Sequence, residues 1–302
     1  MMYAYCQNHN TRFPFLEPIQ DFKNRKDLPP ELFNLDILDG SPPCSTFSMS
    51  GSREEAWGKL KKFKEGQAEQ VLDTLFFDFI DLAKRLQPKI VVAENVKGLL
   101  LGSAKEYVTK IYNAFEDAGY ICQHWLLDAQ TMGVPQRRER VFFVCLRKDL
   151  IDRVPTHSTL FDTFPVLNLD FNEEPITMQG VADFSGREMS SKVIKLLWDN
   201  RQHGDTNQAA ANERLYGKGS NFNQAYVYLD KVCPTLAGKE TCLIHFDQPR
   251  YLSTSEVCNI SSFPQDYNFT GQSPHYICGM SVPPVMMAQI ASAIWEQWLS
   301  KF

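Results

Sequence analysis

Short apolar runs alternate with amphipathic stretches between Asn34 and Val144, which predicts an α/β sheet with crossover helices. The runs NLDILDG, KIVVA (Lys89–Ala93), YICQHWLL and RVFFVCL predict four strands. Apolar residues recur with a helical period from Gln67 to Leu86, and again after KIVVA, so we expect a helix in each stretch. These helices should pack on the sheet.

After Arg147 this rhythm ends, and Pro, Asn, Gln and Asp become frequent up to about Pro234. We therefore expect three spans: a sheet domain (1–154), a separate irregular module (155–234) and a return of the chain to the sheet domain (235–302). The last span contains VPPVMMAQIASAIWEQW, whose apolar spacing and two leading prolines predict a helix.

Composition narrows the class of protein. The 302 residues are 43% hydrophobic, enough for one sizeable core or a large domain with a small insertion. A net charge of -5 means that any nucleic-acid binding depends on local basic patches. The eight cysteines form no C-x-x-C pair and the histidines are not spaced near them, so we expect no metal site. The chain shows no secretion signal and no apolar run of about 18 residues, which predicts a soluble, cytoplasmic protein with no membrane partner.

Three local features suggest chemistry at strand ends. Two prolines stiffen the backbone before Cys44 in GSPPCSTFSMSG, although a single cysteine is more often a buried apolar residue. Glu94 follows KIVVA, where partial desolvation suits a proton donor and a helix N-cap is the alternative. Arg138 and Arg140 lie two apart in QRRER and share one face if extended; an exposed salt-bridge pair is the alternative.

Together these features resemble the DNA (cytosine-5) methyltransferase family over nearly the whole chain. The ordered matches are PPC followed by F-S-x-S-G, then ENV, QRRERVFFV, RYLSTSEVCNISSFPQDY and GMSVPP. The resemblance implies a doubly wound α/β fold that binds S-adenosylmethionine, the methyl donor. It also implies that the irregular module, 155–234, is a target-recognition domain.

The resemblance further implies roles for individual residues. Cys44 would attack carbon 6 of a cytosine flipped out of double-stranded DNA, and Glu94 would stabilise the activated ring at nitrogen 3. Arg138 and Arg140 would hold the base, and Arg138 would also lower the thiol pKa. Donor contacts are expected from Ile19, Pro42, Leu75, Ser281 and Val282. DNA contacts are expected from Ser48, Arg53, Lys59, Lys61, Lys62, Gln136, Arg214 and Lys218.

The sequence departs from the family pattern on the donor side. The F-x-G-x-G-G turn that opens the family is absent, Pro18 stands where an acidic residue is usual, and Met280 replaces the asparagine of G-N-S-V. We therefore expect the sheet to lack its first strands, the isolated chain to bind the donor weakly, and a second chain to supply the missing strands. The alternatives are a transfer-RNA cytosine-5 methyltransferase, a non-catalytic DNA-binding remnant and one subunit of a split enzyme. The source expected for any of these is a bacterium or phage, with restriction-modification as the setting.

Overall fold

The computed structural model describes residues 2–43, 60–61, 70–71, 74–101, 104–155, 164–218 and 224–302. In these ranges the α-helices are α1 (Met2–Asn8), α2 (Ile19–Phe22), α3 (Leu75–Leu86), α4 (Lys105–Asp117), α5 (Lys192–Asp199), α6 (Gln208–Tyr216), α7 (Thr254–Ile260), α8 (Pro274–Met280) and α9 (Pro284–Gln297). The strands are β1 (Ile37–Gly40), β2 (Leu60–Lys61), β3 (Gln70–Val71), β4 (Ile90–Val96), β5 (Tyr120–Asp128), β6 (Glu139–Arg147), β7 (Ala225–Val227) and β8 (Leu243–His245).

The chain divides into two compact units. The sheet unit comprises Phe15–Leu127, Glu139–Leu169 and Ser292–Phe302, and the module unit comprises Met1–Pro14, Asp128–Arg138 and Asp170–Ala291. This division differs from the three predicted spans, 1–154, 155–234 and 235–302. Residues 128–138 and most of 235–302 group with the irregular region because bonds between remote residues tie them to it. Glu173 N donates to the Thr131 carbonyl and Met189 N to the Pro249 carbonyl, both at 3.0 Å.

The sheet unit contains a mixed four-stranded sheet with the order β1-β4-β6-β5. Strand β1 runs parallel to β4, with Ile37 opposite Ile90, and β6 runs antiparallel to β4. All four predicted strands are confirmed. The apolar part of β4, Ile90 to Ala93, is buried on both faces, as expected for a strand inside an α/β sheet.

Helices α3 and α4 cover one face of this sheet. Phe76 and Phe79 of α3 and Phe115 of α4 belong to one buried cluster with Val91 and Phe143 of the central strands. The predicted helix from Gln67 begins later, at Leu75, and Val71 lies instead in strand β3. The contact with α3 also explains a glycine, because a Cβ at Gly40 would lie 2.6 Å from the Phe79 ring.

In the module unit, several polar contacts meet at the N-terminus of α7. Ser253 and Glu256 form a capping box at its N-terminus, and Glu256 also bonds His245 of β8. Helix α9 confirms the predicted C-terminal helix with its two leading prolines. By length and composition alone the stretch from Pro274 to Lys301 could cross a membrane, but Met286 and Ile290 are fully buried within the folded chain, as in a core helix.

Candidate active site

Glu94 and Arg140 form an ion pair on neighbouring strands of the sheet unit. In the register of β4 and β6, Glu94 lies opposite Phe142 and Arg140 opposite Val96, so the two charged side chains are diagonal neighbours on one face. Arg140 Nε lies 2.9 Å from Glu94 Oε1, and the side chains are 15% and 14% exposed respectively. The pair is thus largely removed from water yet reachable from it.

Glu94 lies within β4 itself, so neither the predicted position after the strand nor the alternative helix N-cap describes it. Burial lowers the pKa of Arg140, while the Glu94 carboxylate opposes this shift. A guanidinium still carries its charge after such a shift. Arg140 also donates to the Glu139 carbonyl at 2.8 Å, which limits the orientations open to it. It therefore holds Glu94 in one place as a fixed positive partner.

Asn95 connects this pair to Pro42, in the segment that precedes Cys44, a role that the sequence alone does not predict. Its side chain is 4% exposed, and its Nδ2 donates to the Pro42 carbonyl at 3.0 Å. Strand β1 ends at Gly40 beside Ala93 of the parallel strand β4, so the next residues continue towards the end of β4. A polar residue in the ENV match was the available signal, but its partner could not be inferred from the sequence.

Arg138 is placed differently from the prediction. It is 2% exposed, and its guanidinium donates to three backbone carbonyls of the module unit, those of Leu236, Gly279 and Ser281, at 2.8 to 3.2 Å. These bonds satisfy a buried cation that is otherwise costly to desolvate. The expected roles of Arg138, holding the base and lowering a thiol pKa, stay predictions, because Cys44 lies outside the described residues.

Gln136 is also buried rather than presented to DNA. It is 1% exposed, donates to the Ile260 carbonyl at 3.0 Å and accepts from the Leu236 amide at 3.1 Å. An amide with both ends bonded inside the fold braces α7 against the segment around Leu236. The predicted role of Gln136 as a DNA contact stays a prediction, and it would require Gln136 to exchange one of these internal bonds.

Arg214 and Lys218, which are predicted to bind DNA, are both exposed. Arg214 lies in the last turn of α6, and Lys218 lies just after the helix. Arg214 forms an ion pair with Asp205 at 2.5 Å and donates to the Asn200 carbonyl, so a DNA phosphate would have to compete with these partners. Lys218 follows Gly217, which ends the helix with a φ of 67°. Of the two, Lys218 is placed better for a phosphate contact.

The structure does not describe the side chains of six predicted residues. Cys44, Ser48, Arg53, Lys59 and Lys62 lie outside the described residues. Lys61 is described only as part of the backbone of β2, which pairs with β3. Their roles stay predictions that rest on the sequence.

The residues predicted to bind the donor are divided between the units. Ile19, Pro42 and Leu75 lie in the sheet unit, whereas Ser281 and Val282 lie in the module unit. Ile19 is half-buried and packs against the apolar cluster that includes residues of α3, and Pro42 is buried. Across the described ranges, no three or more His, Cys, Asp and Glu side chains are grouped as metal ligands would be.

Comparison with known proteins gives concordant matches. A family model described as C-5 cytosine-specific DNA methylase matches residues 1–296. The type II methyltransferase M1.HphI of Haemophilus parahaemolyticus is 28% identical, covering 96% of this chain and 77% of that protein. M.NgoFVII of Neisseria gonorrhoeae is also 28% identical, covering 88% of this chain and 71% of that protein.

Solved structures share the fold. A DNMT2 mutant of Spodoptera frugiperda matches with a TM-score of 0.62 at 17% identity, over 97% of this chain and 88% of that chain. Dnmt2 of S. pombe matches with a TM-score of 0.58 at 14% identity, over 97% and 86% of the two chains. At these identities the likeness concerns the fold alone.

Proposed function

Because the chain belongs to the C-5 cytosine-specific DNA methylase family, we propose that it methylates carbon 5 of a cytosine in double-stranded DNA through a covalent bond to Cys44. The protein is a DNA cytosine-5 methyltransferase, and the family and fold imply S-adenosylmethionine as its methyl donor. The observation that carries the proposal is the Glu94–Arg140 pair, in the last part of β4, whose neighbour Asn95 bonds Pro42, two residues before Cys44 in the sequence.

The reaction begins at carbon 6 of the cytosine. The Cys44 thiolate forms a carbon–sulfur bond there, and the displaced electron pair moves into the ring towards carbon 5 and nitrogen 3. Glu94 holds a proton at nitrogen 3, which offsets the charge that the attack creates. Carbon 5 would then bond the donor's methyl group as the methyl–sulfur bond of the donor breaks and leaves S-adenosylhomocysteine. Water would take the carbon-5 proton, the electron pair so released would form the carbon 5–carbon 6 double bond and expel the Cys44 thiolate, and the nitrogen-3 proton would return to Glu94.

Arg140 acts on this step through Glu94 and through its own charge. Its ion pair fixes the carboxyl group, so little reorganisation is needed when the base arrives. Partial burial strengthens the interaction, because charges separated by low-dielectric surroundings attract more strongly than in water. Of the two predicted arginines, we therefore assign Arg140 to the base site.

The target base must leave the duplex, which costs a few kcal/mol. We propose that Ser48, Arg53 and the lysines at 59, 61 and 62 help to meet this cost by contacting phosphates, together with Lys218 of the module. The irregular module, 155–234, would supply target recognition. Because its net charge is slightly negative, its DNA contacts would come from a small number of local side chains. Arg214 would take part only after exchanging Asp205 for DNA.

On the donor side, the contacts expected of Ile19, Pro42 and Leu75 in the sheet unit, and of Ser281 and Val282 in the module unit, stay predictions. The donor supplies an electrophilic methyl group. In the described residues β1 has a strand neighbour only on its β4 side, and its side chains are less buried than those of β4. We propose that a strand from a second chain pairs with the other edge; native mass spectrometry of the protein isolated from its own cells under conditions that retain partners would show the single chain alone if this is wrong.

The relatives named above are type II methyltransferases of bacteria. We propose by analogy that this protein acts in the cytoplasm of a bacterium, or of a phage-infected cell, within restriction-modification.

A trapping experiment tests the reaction. The protein is incubated with labelled S-adenosylmethionine and DNA containing 5-fluorocytosine, which blocks the final loss from carbon 5 and should leave a stable adduct. Cys44→Ser should abolish the adduct, whereas Cys6→Ser, at a half-buried thiol of α1, should leave it unchanged. An adduct on transfer RNA instead of DNA would overturn the DNA assignment. DNA binding without any adduct would indicate a non-catalytic binding protein.

A further inference from the structure

We propose that Arg138 is a positioning residue for the methyl donor: it holds the 279–282 segment against the 236–238 segment, and so sets donor affinity without touching the base. The inference rests on the proposed function, because 279–282 is taken as part of the donor site. Its starting point is the three carbonyl bonds of one buried guanidinium. The 236–238 segment contributes one of these carbonyl acceptors, and the 279–282 segment contributes two.

The first line of support is how closely the two segments approach. A Cβ added at Gly279 would lie 2.8 Å from the carbonyl carbon and oxygen of Ala237, so the backbone of α8 rests directly on the backbone of 237–238. Tyr276 and Met280 also flank Gly238, at 3.2 and 3.6 Å from its ideal Cβ position. Such packing leaves little freedom for independent movement, and Arg138 bonds both sides of the contact.

The directions of the hydrogen bonds that Arg138 donates also support the proposal. Arg138 Nη2 donates to the Gly279 carbonyl at 3.0 Å and to the Ser281 carbonyl at 2.8 Å, which fixes the turn by which the chain leaves α8. Ser281 Oγ donates back to the Ile277 carbonyl at 2.7 Å. The backbone at 281–282 is thus held from two directions, and this is the stretch expected to meet the donor.

The chemistry of the side chain explains why arginine is needed. A guanidinium presents several N–H donors in a fixed planar fork, whereas a lysine ammonium is a single point on a flexible stem. Lysine at 138 would keep the charge but could not bond Leu236, Gly279 and Ser281 in the same geometry. The charge-conserving change therefore separates positioning from electrostatics.

The test compares Arg138→Lys with Arg137→Lys, the same substitution at the exposed neighbour. Steady-state methylation gives kcat and KM for S-adenosylmethionine, and equilibrium dialysis gives donor affinity without turnover. We expect Arg138→Lys to raise KM and Kd for the donor about tenfold, as loss of about 1.4 kcal/mol would, with kcat at saturating donor within threefold. Arg137→Lys should match the unsubstituted protein.

Hydrogen exchange of the unsubstituted protein provides a measurement that does not depend on a variant that folds. S-adenosylmethionine should slow exchange of the amides of 279–285. Absence of this protection, or equal KM values for the two variants, would overturn the inference. Either result, with an unsubstituted protein that methylates DNA, would leave the proposed function standing. Failure of the unsubstituted protein to bind donor or methylate DNA would reject the proposed function as well.

Discussion

The Asn95–Pro42 hydrogen bond gives a sharp test of how the nucleophile segment is held. Asn95 Nδ2 donates to the Pro42 carbonyl at 3.0 Å, and Oδ1 accepts from the Val96 amide at 2.9 Å. Asn95→Asp keeps the second bond but places a carboxylate oxygen against the carbonyl. The substitution therefore breaks the link to Pro42, two residues before Cys44, with little change in volume.

The size of the effect follows from the burial of the bond. A buried acceptor that loses its partner costs about 1–3 kcal/mol, and repulsion between two oxygens adds to this, so we expect Asn95→Asp to lower the free energy of unfolding by at least about 2 kcal/mol. If the segment to Cys44 shifts by about an ångström, the chemical step should slow about a hundredfold. That factor corresponds to about 2.7 kcal/mol in the barrier.

Urea unfolding gives the first quantity, and single-turnover methylation at saturating DNA and donor gives the second. Asn34→Asp is the control, because it makes the same chemical change at an exposed asparagine of the sheet unit. The donor KM should not change, since the bond acts on the nucleophile and not on the donor. A variant that loses stability but keeps a single-turnover rate within twofold of Asn34→Asp would show that the bond supports only the fold.

Three further outcomes are expected in the module unit. Gly279→Ala should destabilise the protein by about 1–3 kcal/mol, because its Cβ would lie 2.8 Å from the Ala237 carbonyl; an unchanged melting temperature would contradict that contact. Met280→Asn restores the family's amide at a side chain that is 52% exposed, so donor KM should fall several-fold while the melting temperature holds. Burial raises the pKa of Glu256, but bonds from His245 and backbone amides outweigh it and hold the pKa below the ordinary value of 4.5. As the pH falls, the unfolded state therefore takes up that proton first, and the stability that this group contributes above about pH 4.5 should be lost. Urea unfolding at pH 7 and pH 4 should show a smaller loss in Glu256→Gln than in the unsubstituted protein.

The strands could be predicted because the apolar runs of a buried sheet are local in sequence. The end of β4 could not: the apolar run stops at Ala93, yet the strand continues through Glu94 and Asn95 to Val96. These polar residues stay in the sheet because residues of β6 pair with them and because Arg140 and Pro42 bond their side chains. Such partners are remote in sequence.

Helix α3 shows the reverse error. The apolar period beginning near Val71 predicts an earlier start, but Val71 pairs with Leu60 in a short antiparallel ladder. A helical period in apolar residues is compatible with either structure over so short a stretch, and pairing with residues nine and eleven positions earlier decides between them. The spacing of apolar residues specifies which side chains become buried more reliably than it specifies a boundary.

The QRRER segment shows why a motif can locate a site and still misassign its members. Burial alternates with the period of an extended chain: Gln136, Arg138 and Arg140 are turned inward, while Arg137 is exposed. The two-residue spacing was therefore sufficient to predict that Arg138 and Arg140 share a side. It could not predict that Arg138 finds its acceptors about a hundred or more positions later, in the module unit, whereas Arg140 enters β6 and meets Glu94. Since one guanidinium bonds backbone carbonyls and the other bonds a carboxylate, we propose different functions for the two arginines, with Arg140 at the base and Arg138 in positioning the 279–282 segment.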